Sequence, residues 1–316
     1  MKLLAPAKIN LHLRVAPATR DGFHPLLSWM CTVGLFDTLV LNRTAEPAPG
    51  QPGVRLRCDD PSLACDGTNL IVRAADAMRH ASLDVSRRAI GEDGLAIELQ
   101  KRIPTGGGLG GGSSDAARTV LGLNRFWQLD WPVDRLSGIA ASLGSDVAFF
   151  CHGPSSICSG RGQIVRPIGV PGVRWALLIL PPMAVPTGPV YRRFDELLTE
   201  ADRISLARAV EHEPDWEQWR LLRAQELLPR LINDLERPAF DLNPRLAKLR
   251  AELEQFLGRI VRMSGSGSSL FTLYDDRESA GVAAERINNG VNNNATGRAL
   301  AVMLAPRIED DLAAGG

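Results

Sequence analysis

The sequence predicts an α+β protein of two domains, residues 1–165 and 166–316. Three observations carry this. At about 100–200 residues per domain, 316 residues make two domains or one elaborate one. In the first half, strand patterns with antiparallel turn signals precede and alternate with helices, unlike the regular βαβ run of a doubly wound sheet. The second half reads as a small layered domain, with helices on one face of an antiparallel sheet.

The elements follow in order. Ile9, Leu11, Leu13 and Val15 alternate with Lys8, Asn10, His12 and Arg14, a half-buried strand with Lys8 and Asn10 on one face. After the turn signal Asp21-Gly22, residues 26–33 and 36–41 read as two further strands. Residues 45–53, rich in proline and glycine, read as a surface loop, and 54–58 as a short strand. Thr68 is the expected N-cap of a helix over 69–82. Leu95, Ile97 and Leu99 restore the strand period. After a glycine loop, Ser113 is expected to open a helix to about Gln128, and 133–143 form another. Later come a strand at 174–180 and helices near 190–199, 205–211, 216–228 and 245–257, the last ended by Gly258. Strands at 260–263, 270–274 and 299–304 surround a helix at 278–288. The asparagine-rich stretch 288–294 reads as a loop.

Composition narrows the function. Apolar residues are 45% and charged residues 23%, which excludes disordered, collagenous and coiled-coil classes. Formal net charge is zero, so nothing electrostatic argues for a nucleic-acid partner. Apolar runs such as 175–180 fall far short of the roughly 20 residues a bilayer needs, and the N-terminus lacks the pattern of a secretory signal. The five cysteines are odd in number and none forms a C-x-x-C pair, against a disulfide framework or zinc site. The expectation is a cytoplasmic protein without membrane or nucleic-acid partners, as a monomer or homodimer. Of 36 basic residues only Lys2, Lys8, Lys101 and Lys248 are lysine, which marks each one for attention.

The strongest local signal runs from Pro104 and Thr105 through Gly106, Gly107, Gly108, Leu109, Gly110, Gly111, Gly112, Ser113 and Ser114 to Asp115. It lies between a strand and a helix. Glycines admit positive φ and bring backbone N–H groups close to a ligand. The helix behind adds free N–H groups and a partial positive charge. Together they suit a polyphosphate. The dinucleotide fingerprint matches only as any glycine-rich run does, and no Gly-Lys-Ser/Thr occurs to make a Walker A loop.

This loop closely resembles the nucleotide-binding motif of the GHMP kinase superfamily, which includes galacto-, homoserine, mevalonate and phosphomevalonate kinases. Pro6-Ala-Lys-Ile-Asn-Leu11 resembles its N-terminal strand motif, and Met263-Ser-Gly-Ser-Gly-Ser268 its glycine-rich C-terminal motif. Four features narrow the resemblance: the triple glycines around Leu109, Asp21-Gly-Phe-His24, Asn69-Leu-Ile-Val-Arg-Ala-Ala75 and Leu143-Gly-Ser-Asp-Val147. They are similar to the branch that phosphorylates the 2-hydroxyl of a cytidine diphosphate ester of 2-C-methyl-D-erythritol, in the non-mevalonate isoprenoid pathway. The resemblance spans essentially the whole chain. It implies a GHMP fold with an N-terminal ATP-binding domain and a C-terminal substrate domain, ATP as phosphoryl donor, and Mg2+.

The resemblance implies Asp146 as base and Lys8 as the ammonium favouring the alkoxide, with residues 104–114 holding ATP. Asn10, Phe23, His24, Thr187 and Tyr191 would hold the cytidine ester. Ser113, Ser114 and Asp115 are all plausible magnesium ligands. Family members commonly carry Tyr where this chain has Phe23, so a hydroxyl hydrogen bond is lost there. Ala148 and Ser268-Ser269 also depart from the family pattern, without removing a catalytic group. Taken alone, Lys8 reads equally as a solvated strand charge, Asp146 as a helix-terminating acid, Phe23 as a core aromatic and His24 as a turn residue before Pro25. Other readings are a homoserine or phosphomevalonate type kinase, or a non-catalytic binding relative.

Overall fold

The computed structural model describes residues 1–45, 53–83, 94–290 and 296–313. Two long strands form its spine, β1 (Lys2–Val15) and β2 (Leu26–Thr44), antiparallel along nearly their whole length. β2 joins the two strands expected at 26–33 and 36–41. Pairing steps from Pro6↔Phe36 to Ala7↔Val33, so a bulge at Gly34-Leu35 absorbs the break in the pattern.

The other edge of β2 is shared. β4 (Gly94–Gln100) pairs its C-terminal part and β5 (Ser155–Gly160) its N-terminal part. Outside these lie β3 (Val54–Cys58), parallel to β4, and β6 (Ile164–Pro167), antiparallel to β5. Between β3 and β4 runs α1 (Leu70–Leu83). Asn69 Oδ1 accepts from the Ile71 amide, whereas the expected cap Thr68 is tied to Asp66. After β4 come α2 (Gly111–Phe126), α3 (Val133–Leu143) and α4 (Ser145–His152). The expected Ser113 cap is corrected: the cap is a left-handed Gly110, three residues earlier, and α2 opens at Gly111. β5, β6 and α4 were not foreseen, because 155–160 is poor in branched residues and 147–150 is uniformly apolar. β6 continues the first sheet just past the expected boundary at 165/166.

The second sheet has the order β10-β7-β9-β8, all antiparallel: β7 (Trp175–Leu180), β8 (Arg262–Met263), β9 (Leu270–Tyr274) and β10 (Arg298–Met303). Its helices are α5 (Thr187–Leu197), α6 (Glu200–Ala209), α7 (Trp216–Trp219), α8 (Ala224–Leu227), α9 (Glu236–Leu242), α10 (Pro244–Leu257) and α11 (Arg277–Gly290). The continuous helix expected at 216–228 is broken into α7, α8 and a 3-10 turn, and α9 was not foreseen. Thr199 caps α6 with a full capping box, which moves its start ahead of the expected 205. Gly258 ends α10 in the left-handed conformation, as expected. Asn288 lies within α11, exchanging side-chain hydrogen bonds with Ala299, rather than in a loop. The rest of the asparagine stretch, at 291–294, and most of the loop expected at 45–53 fall outside the described residues.

Three packed cores stack through the molecule. Leu3, Ala5, Leu39 and Leu41 pack with α1–α4; Ala7, Ile9, Leu11 and Trp29 meet β7, β9 and Trp216 between the sheets; Leu13 and Val15 meet α5 and α10 behind the second sheet. The odd-numbered face of β1 thus runs through all three. Its even face is covered too: Lys8, Asn10 and His12 are all buried. The half-exposed strand expected there is corrected, because the loop of residues 104–114 and Asp146 lie over Lys8, and Ser264, Trp216 and Trp219 over Asn10 and His12, on the face that alternation assigns to water.

Candidate active site

β4 delivers the chain to the glycine loop, whose shape is set by close approaches. Gly108 has φ +75° and lies so near the Ser264 carbonyl that a Cβ would collide with it. Gly110, at φ +68°, caps α2, and a Cβ there would sit 3.0 Å from Lys8 Cγ. Only glycine takes both constraints cheaply. Three hydrogen bonds lock the loop: Lys8 N to Leu109 O (2.9 Å), Ser264 Oγ to Gly108 O (3.0 Å) and Ser269 N to Gly107 O (3.1 Å). No side chain caps α2. Its first intrahelical donor is Ser114 N, to Gly110 O at 2.8 Å, so the amides of Gly111, Gly112 and Ser113 have no partner within the helix. That end of the helix can take an anion.

Lys8 lies beneath this cradle, 4% exposed. Its Nζ is 2.6 Å from Asn10 Oδ1 and 3.3 Å from Asp146 Oδ2. The Asn10 amide is oriented by its neighbours. Ser28 Oγ spends its proton on His12 O (2.8 Å) and so accepts from Asn10 Nδ2 (2.8 Å), which turns Oδ1 to the ammonium. Asp146 stands in the first turn of α4, where the helix dipole favours an anion. It opens a helix; the expectation that it closes one is corrected. Nearby, burial pushes the Cys158 thiol up to about 12, so it stays protonated and inert.

A second buried ammonium braces the loop. Lys101 Nζ bonds Asp37 Oδ2 and, at 2.9 Å, Asp115 Oδ2. Asp37 Oδ1 accepts from the amides of Arg102 and Ile103, the latter at 2.9 Å. Burial raises the Asp115 carboxyl against the pull of Lys101. Burial also opposes the Lys101 ammonium, but Asp115 and Asp37 outweigh it and its pKa is raised.

The opposite end of the site is aromatic. His24 Nε2 lies 2.9 Å from Asp195 Oδ2, and its ring packs 4.8 Å from Tyr191. Burial raises the Tyr191 phenol. Thr187 Oγ1 bonds Ser266 Oγ at 2.9 Å. Phe23 is 49% exposed, with the Arg161 guanidinium 3.8 Å over its ring, so it is a surface aromatic and not a core one.

One cavity of about 1010 Å³ joins both ends. Lys8, Asn10, Phe23, His24, residues 104–113, Asp146, Thr187 and Tyr191 all line it. Ser114 lies behind the wall, fully buried, its Oγ without a hydrogen-bond partner. Arg161, Asp195 and Ser266 also line it and were not foreseen. Asp195 follows Tyr191 by one helical turn, a spacing that could have flagged it. Lys101 was marked only by the scarcity of lysine, and Asp37 carries no sequence signal.

Phosphoryl transfer to an alcohol asks mainly for positioning of phosphates and for charge beside the accepting hydroxyl. Fold and site together define a small-molecule kinase. Residues 69–154 match the GHMP kinases N terminal domain and residues 206–293 the GHMP kinases C terminal. The chain is 40% identical over 297 residues to a 4-diphosphocytidyl-2-C-methyl-D-erythritol kinase of Prochlorococcus marinus (strain MIT 9303), covering 89% of this chain and 86% of that protein. It is 34% identical over 294 residues to one of Geobacillus thermodenitrificans (strain NG80-2), covering 92% of each. A crystal structure of 4-(cytidine 5'-diphospho)-2C-methyl-D-erythritol kinase superposes with a TM-score of 0.73 at 33% identity, over 97% of this chain and 100% of that one. The chain belongs to the GHMP kinases, within the family of 4-diphosphocytidyl-2-C-methyl-D-erythritol kinases.

Proposed function

We propose that the protein transfers the γ-phosphoryl group of ATP to the 2-hydroxyl of 4-diphosphocytidyl-2-C-methyl-D-erythritol, a step of the non-mevalonate isoprenoid pathway. The carrying observation is the Lys8–Asp146 pair at 3.3 Å, in the one cavity shared by the glycine loop and the aromatic end. Asp146 accepts the hydroxyl proton. Lys8, held by Asn10, stabilises the negative charge that develops on the oxygen. Backbone amides of residues 106–113 take the phosphates of ATP. His24, Tyr191 and Phe23 offer ring faces and polar edges to the cytidine, and Thr187 and Asn10 add donors and acceptors. Residues 1–165 then carry the nucleotide together with Asn10, Phe23 and His24 of the substrate end, and 166–316 add Thr187 and Tyr191.

Magnesium keeps several waters and takes one or two protein oxygens beside phosphate. The donors here fit that habit. Among the described residues no cluster of three or more acidic, histidine or cysteine groups forms a metal cage. Asp115 Oδ1, however, is buried just past the first turn of α2 without a hydrogen-bond partner, and Ser113 lines the same wall. These two would hold the ion, which when bound neutralises charge on the phosphate oxygens.

All five cysteines are free, three of them buried, which agrees with a reducing cytoplasm. Among the described residues no helix is long and apolar enough to cross a membrane.

The test is ADP release by purified protein with ATP, Mg2+ and a panel of alcohols: the cytidine ester, homoserine and phosphomevalonate. Turnover is expected with the cytidine ester, with phosphorus NMR locating the new monoester. Faster turnover of another alcohol, or tight binding of the cytidine ester without ADP release, would reject the reading.

A further inference from the structure

We propose that Asp195 is a positioning residue that sets the base preference of the site, by holding His24 in the tautomer with its proton on Nε2. The proposal rests on the reading that a cytidine diphosphate ester is the substrate.

α5 carries Tyr191 and Asp195 at i and i+4, so ring and carboxylate share one helix face. His24 comes to that face from the turn after β1. Its ring packs on Tyr191 at 4.8 Å and meets Phe194 edge-on at 6.0 Å, which fixes the imidazole plane. Its Nε2 is 2.9 Å from Asp195 Oδ2. An ionised carboxylate can only accept, so this contact requires the proton on Nε2. A neutral imidazole then has its lone pair on Nδ1. Among the described residues Nδ1 has no hydrogen-bond partner, and His24 lines the cavity.

That free acceptor discriminates between pyrimidines. Cytosine presents an amine at C4, which donates; uracil presents an oxygen, which accepts. An acceptor on the protein therefore pairs with the first and repels the second. A site built for one hydrogen-bonding pattern rejects the analogue lacking it far better than an apolar pocket rejects a misfit. The second oxygen of Asp195, Oδ1, is buried with no hydrogen-bond partner among the described residues, so only the bond to His24 holds the carboxylate. An asparagine can offer its NH2 group in place of the oxygen and so reverse the tautomer, which makes Asp195→Asn the informative change.

The experiment has two readouts. The first is kcat/KM for the cytidine and uridine diphosphate esters of 2-C-methyl-D-erythritol. The wild type is expected to favour the cytidine ester by about 100-fold or more. Asp195→Asn should cut that ratio to below about 10-fold, the loss on the cytidine ester falling on KM, with Asp195→Glu restoring part of it. A merely structural role would weaken both esters alike and leave the ratio unchanged, which would overturn the proposal. The second readout is the 15N NMR signature of His24 in the free wild-type protein at pH 8. A lone-pair Nδ1 supports the proposal and a protonated Nδ1 overturns it, whether or not the variant folds. Failure of the wild type to phosphorylate either ester rejects the substrate reading instead, while the NMR result still judges the tautomer.

Discussion

Asp146→Asn tests the chemistry most directly. The substitution keeps the shape of the side chain and an oxygen able to face Lys8, but removes the charge and the capacity to take a proton. Losing a positioned general base costs about 10²–10⁴ in rate, or about 3–5 kcal/mol of barrier. Stability should respond much less. At 3.3 Å the Lys8–Asp146 attraction is about 5 kcal/mol for an effective dielectric constant near 20. The Asp146 side chain, however, is 34% exposed, and water screening reduces such a pair to about 1 kcal/mol. The melting temperature should fall by only about 2–4 °C. The assay is ADP release under saturating ATP and cytidine ester, beside titration with a fluorescent ATP analogue, whose affinity should hold within about threefold because the cradle proposed for the nucleotide is mostly main chain. If turnover stays within about tenfold of wild type, Asp146 is not the base.

Three further outcomes follow from neighbouring groups. Lys8→Met should lower kcat by about 10²–10³ without unfolding the protein, since Asp146 can rehydrate; a collapse of thermal stability would make the pair structural instead. Lys101→Met leaves Asp37 and Asp115 buried without their cation, costing about 3–5 kcal/mol; because burial already raises Asp115, protonation should restore part of this, and a gap from wild-type melting temperature that failed to narrow between pH 7.5 and 5.5 would refute it. Burial lowers the His12 pKa from 6.5 to about 4, so the unfolded chain binds the extra proton across that window and stability must fall as pH drops through it, by up to about 3 kcal/mol in total; urea midpoints at pH 7 and 4.5 should show this slope weakened in His12→Asn, and equal slopes would exclude it.

The legible parts of the sequence were those where local chemistry decides. The alternation of 8–15 put Lys8 and Asn10 on one face, and they share a 2.6 Å hydrogen bond. Gly258 and the strand at 270–274 fell where expected. The glycine loop lies, as expected, between a strand and a helix whose first amides no side chain caps. What local pattern could not show was burial imposed from afar. Lys8, Asn10 and His12 alternate as a wetted face does, yet Asp146, Ser264 and the rings of Trp216 and Trp219 cover them. The Lys101 brace draws on residues 37, 101 and 115, and the His24–Asp195 contact spans 171 positions. The position of α2's first turn was misread because serines usually cap helices; here a left-handed glycine does so, leaving the amides uncovered.

Ser264 reaches Gly108 across 156 positions of chain. A ribosome therefore makes the chain as far as Ser264 before the glycine loop can receive the clasp that shapes it. A truncated product ending before residue 264 keeps the glycines but not the hydroxyl and amide that pin their carbonyls, so the loop of an unfinished chain lacks the finished geometry. Contacts of such long sequence separation also slow folding, so the loop takes its clasped shape only after most of the second half of the chain has been made.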